Sequence, residues 1–84
     1  MSDYLPIACI EHERLEFAVL RRQRLALEFQ DGGGAVWRGV VLPTDVVTRD
    51  GAEWLSYTVM DGGEAGNAGV VRLDRILSAR PASA

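Results

Sequence analysis

The sequence predicts a small α+β domain, mainly β, with an N-terminal helix followed by a strongly bent antiparallel barrel of about five short strands. Three observations predict it. Helical periodicity is confined to one segment near the start. Segments of period two, broken by glycine and aspartate turn signals, fill the remainder. A glycine also stands in the middle of the second such segment, where a small barrel must bend.

With 84 residues the chain makes one domain with a small core. Its 9 basic and 12 acidic residues give a formal charge of −3, and every base is an arginine. Nucleic-acid binders show a basic balance and a basic patch, so this acidity favours a basic partner. Cys9 is the sole cysteine, which excludes an internal disulfide and a multi-thiolate metal site and fits a reducing compartment. There is no charged leader followed by an apolar run, and no apolar stretch of about 18 residues, so the expected location is the cytoplasm.

Residues 1–8 read as an extended lead-in, because Pro6 fixes its own φ and biases Leu5 away from helix; Tyr4 and Ile7 then serve as an apolar hook beside the helix. The helix is expected over 9–22. Leu15, Ala18 and Val19 recur at helical spacing and form its core stripe, while Glu13 and Glu16 project together from an outer face. Glu11 and Glu13 near its start, and Arg21, Arg22 and Arg24 at or beyond its end, suit the helix dipole without any partner.

The barrel is expected over 24–80, with a polar tail over 81–84. Leu25, Leu27 and Phe29 alternate with Ala26, Glu28 and Gln30 as a half-buried strand does, and Asp31 followed by three glycines turns the chain. A second strand spans 35–42 with Gly39 at its bend, Pro43 marks an edge or a break, and Thr44-Asp45 is turn chemistry. Segments 46–48 and 52–60 flank Arg49-Asp50-Gly51, a strong hairpin signal, with Leu55, Tyr57 and Val59 on one face of the later strand and Trp54, Ser56 and Thr58 on the other. The glycine-rich segment 61–69 reads as a flexible loop. Strands 70–73 and 76–79 meet at Asp74-Arg75 without glycine, a single-turn corner of the kind that closes small barrels of the SH3 and Sm type.

Enzymatic readings fail on inventory. Catalysis needs a nucleophile or base oriented by a second group, and Cys9 with His12 lacks both an oxyanion loop and a third orienting residue. Cys9 is better read as a small apolar residue and His12 as a surface helix residue. Glu11, His12, Glu13 and Glu16 supply too few ligands on one helical face for a metal, and the triplet Gly32-Gly33-Gly34 lacks the ending of a phosphate loop. No cofactor is expected. Trp37, Trp54 and Tyr57 are candidate stacking platforms, although without a basic groove their packing role is favoured.

Several runs occur together and in order: Tyr4-x-Pro6-Ile7-x-Cys9-x-x-His12-Glu13-x-Leu15-Glu16; Leu25-x-Leu27 with Asp31-Gly32; Asp45-Val46-Val47-x-Arg49-Asp50-Gly51-x-Glu53-Trp54-Leu55; and Arg72-Leu73-Asp74-Arg75-Ile76. Over most of its length the chain thereby resembles the Rof family of Rho-binding antiterminators. The resemblance implies an Sm-like barrel behind the helix and a bacterial, cytoplasmic inhibitor of the transcription terminator Rho that occupies Rho's RNA-binding N-terminal region and blocks RNA loading. It assigns the partner contact to Glu11, His12, Glu13 and Glu16 on the helix and to Arg49 and Asp50 at the hairpin. His12 stands where the family usually has a tyrosine. Direct nucleic-acid contact is not expected, and a monomer is. The alternatives are an Sm-like RNA-binding module and a scaffold domain for another basic protein.

Overall fold

The computed structural model describes residues 9–82, Cys9 by its backbone alone. The expected hook of Tyr4 and Ile7 lies outside them. Helix α1 (Cys9–Arg21) is followed by β1 (Leu25–Gln30), β2 (Val36–Arg49), β3 (Ala52–Val59) and β4 (Ala68–Arg72), then by a single 3-10 turn (Leu73–Arg75) and β5 (Ile76–Pro81). All strand pairs are antiparallel, and the sheet order is β4-β3-β2-β1-β5. The one-helix, five-strand architecture is the predicted one. The sheet is curled but open, with β4 and β5 as its two edges.

The predicted stripe of α1 faces the sheet. Leu15 and Ala18 are buried, Val19 packs against the core, and the helix lies mainly on β2. From the sheet, Leu25, Leu27, Val41, Leu55, Tyr57, Val59, Val71 and Leu73 complete the core. The faces of β3 divide as its alternation predicts, with Leu55, Tyr57 and Val59 inward. The helix stops at Arg21 because Arg22 takes a left-handed φ of 53°. The Gln23 amide then bonds the Ala18 carbonyl at 2.9 Å and the Arg22 amide that of Val19 at 3.2 Å, the Schellman pairing that satisfies terminal carbonyls.

Two expectations need correction. Pro43 does not break the strand and Thr44-Asp45 is not a turn, because β2 runs unbroken through both, although Pro43 does lie on an edge, with β3 as its one strand neighbour. Pro43 is buried opposite Tyr57, and the register slips between Pro43 and Asp45, leaving Thr44 as an extra residue. A bulge tolerates a residue without an amide proton. Moreover β1 pairs with β2 only as far as Val41, so Pro43 interrupts no ladder on that side.

At Gly39 a side-chain demand stands beside the expected bend: Trp37 lies across the glycine, and a Cβ there would stand 2.6 Å from Cη2 of the indole. The 61–69 segment is turned and hydrogen-bonded. Gly66 donates to Val59 at 2.7 Å, Asn67 to Glu64 at 3.0 Å, and the Asp61 side chain accepts the Val40 amide at 3.0 Å.

Candidate functional site

Helical geometry sorts the polar residues of α1 onto two flanks. At about 100° per residue, Glu16 falls about 40° from His12 with Glu13 about 60° beyond it, whereas Glu11 falls about 60° from Arg14 and about 140° from Glu16. The contacts agree. Glu11 pairs with Arg14 at 3.3 Å, and both line the groove between α1 and β5. Glu16 instead meets His12, its Oε1 lying 3.3 Å from Nδ1. The expected acidic edge is therefore Glu13 and Glu16, and Glu11 does not join it.

His12 is half-buried and turned toward the sheet. Its Nε2 is shut off from solvent in contact with Glu53 Oε2, without hydrogen-bond alignment. Glu53 lies at the foot of the hairpin, opposite Thr48 in register and two residues beyond Gly51. One histidine thus joins the acidic flank of α1 to the β2–β3 hairpin.

The hairpin turn itself has the geometry its Asp-Gly signal requires, with positive φ at Asp50 (53°) and Gly51 (74°), as in a type I′ turn. Both Arg49 and Asp50 are exposed. The Arg49 guanidinium sits 6.0 Å from the Trp54 ring centroid, and the Trp54 indole N–H donates to the Arg49 carbonyl at 3.1 Å. That contact holds Arg49 over the outer face of β3.

Of the expected site residues, the structure brings Glu16, His12 and the hairpin together through Glu53 and puts Glu11 elsewhere. Glu53 was missed as a site residue because strand alternation puts it on the same face as Leu55, Tyr57 and Val59, where sequence alone offers a carboxylate no partner. Only the docking of α1 reveals its neighbour.

The three candidate stacking residues do not share a platform. Trp54 and Tyr57 lie on opposite faces of β3, and Tyr57 is buried in a cluster with Phe29 and Trp37, centroids 6.3 and 6.0 Å away. Burial first, and the Glu64 carboxylate second, push the Tyr57 phenol above its ordinary value.

Among the described residues no group of three or more histidine, cysteine, aspartate or glutamate side chains is placed to hold a metal. Nor is any helix long and apolar enough to cross a membrane. No protein-family model matches the chain, and no curated protein matches it.

Proposed function

We propose that this protein is a non-catalytic, stoichiometric inhibitor of the transcription terminator Rho, acting in the bacterial cytoplasm by covering the RNA-binding N-terminal region of Rho with an acidic surface. The observation that carries the reading is the contact of His12 with both Glu16 on α1 and Glu53 beside the Arg49-Asp50 turn, with Glu13 exposed one helical turn from Glu16. The resemblance to the Rof family assigns the helix and the hairpin separately to the Rho contact, and here the two are tied into one surface.

Three exposed or half-exposed carboxylates in one region suit a site built to capture a polyanion, because such a site must itself be basic. Glu11, paired with Arg14 on the opposite flank, is left out of the proposed contact. His12 acts by holding Glu16 and Glu53 in place. An Sm-like RNA-binding role has less support, given the net charge of −3 and the dispersal of the aromatic residues over two faces.

The test is retention of the full chain on immobilised Rho beside a gel shift with single-stranded RNA. Retention on Rho that RNA competes away, with no shift of RNA by the protein alone, is expected. A shift of RNA without retention on Rho would overturn the proposal. Affinity for Rho also falls as salt is raised, because exposed charges more than about 10 Å apart are screened at roughly 0.1 M ionic strength.

A further inference from the structure

The outward face of α1 carries an apolar stripe that packing against the sheet does not use. Ile10, Phe17 and Leu20 keep 67%, 53% and 78% of their surface open. Together with Glu13 they recur at helical spacing, and at about 100° per residue all four stand about 140–160° from the buried Leu15. Exposed apolar side chains gathered on one face mark a surface for a partner.

The charges around the stripe choose among occupants. Glu13 is exposed in its middle, between Ile10 and Phe17, with Glu16 along one border and Arg14 and Arg21 along the other. A second copy of the chain fits badly. Laid parallel about a two-fold axis, it would set Glu13 against its own counterpart, and laid antiparallel it would set Arg14 and Arg21 against the same arginines of the other copy. A basic partner fits better, because Arg14 is already neutralised by Glu11 and Arg21 is stacked 5.7 Å over the Phe17 ring, which leaves Glu13 and Glu16 to dominate.

Resting on the reading that this partner is Rho, we propose that Ile10, Phe17 and Leu20 are apolar anchors of the same contact, and that α1 imitates single-stranded RNA. A surface that holds a single strand combines cations along the backbone with apolar and aromatic platforms on which bases stack. Glu13 and Glu16 offer charge where phosphates would lie, and Phe17 and Leu20 offer apolar surface where bases would lie. The contact then has a part that salt does not screen, since the burial of apolar anchors is not an ion-pair effect.

The test is binding of the full chain to immobilised Rho, titrated at low and at high salt, for the unaltered protein, Phe17→Ser, Leu20→Ser and the Glu13→Gln, Glu16→Gln double variant. Each serine variant should bind about tenfold more weakly at both salt concentrations, as loss of an interface anchor does, while its thermal melt stays that of the unaltered protein. The glutamine variant should instead lose the dependence on salt. Binding of both serine variants at full strength would overturn this inference and leave the Rho reading standing, whereas no binding by the unaltered chain would overturn both. Sedimentation guards against the other occupant: a dimer of the unaltered protein that Leu20→Ser dissolves would give the stripe to a second copy and overturn the inference.

Discussion

Trp37 lies across Gly39 and Tyr57 across Gly69, so a Cβ at either glycine would press on an aromatic ring, at 2.6 Å from Trp37 Cη2 and 2.5 Å from Tyr57 Cζ. Valine at 39 and alanine at 69 both improve strand propensity, yet each should lower stability by about 1–3 kcal/mol, because the rings they displace are packed against Phe29 and the core. Thermal melts of the two variants check this, and an unchanged midpoint would mean that the rings move aside freely.

Tyr57 carries a second prediction. The fold favours its neutral phenol, so that contribution is fully present below the ordinary tyrosine value of 10.0 and is lost as pH rises from there through the raised value in the folded protein. Urea midpoints of the wild-type protein should therefore fall between about pH 9 and 11 more steeply than those of Tyr57→Phe. Parallel slopes would contradict it.

The helix, the Asp-Gly hairpin and the Asp74-Arg75 corner were legible in the sequence because each is specified locally. A stripe at Leu15, Ala18 and Val19, a residue pair able to take positive φ, and a tight glycine-free link between two strands need no distant partner. Pro43 was only half legible for the opposite reason. Proline reads as an edge or a break, and only the bulge beside it and the early end of β1 decide for the edge, just as only the structure shows the ring of Trp37 above Gly39. The 61–69 segment lacks apolar anchors and looked unstructured, yet main-chain bonds and the Asp61 and Glu64 side chains hold it.

The end of α1 offers a further test. Arg22 adopts φ 53° at the position where helices most often use glycine, and a left-handed conformation strains a residue with a Cβ. Arg22→Gly should therefore raise stability by about 1 kcal/mol, since the Schellman bonds of the Arg22 and Gln23 amides are main-chain and survive the change. A lower melting point would show that the arginine side chain contributes more than its backbone costs.

Taken whole, the molecule presents α1 with two unlike flanks: a carboxylate surface shared with the β2–β3 hairpin through His12, and an apolar groove shared with β5. The core residues Leu15 and Ala18 separate them and fix the rotation of the helix. For the candidate site, sequence supplied Glu13, Glu16 and the hairpin turn, whereas the exclusion of Glu11 and the inclusion of Glu53 follow from how the helix docks. Because Glu13 and Glu16 are exposed and lie away from the core stripe, their reversal to arginine should leave the fold cooperative. At a basic RNA-binding site the same change replaces attraction with like-charge contact, which can cost several kcal/mol. The most direct measurement is a Rho-dependent termination assay with the Glu13→Arg, Glu16→Arg double variant, run beside its thermal melt. The account predicts loss of antitermination by a variant that still melts as a folded domain; full antitermination by that variant would remove these carboxylates from the contact with Rho and contradict it.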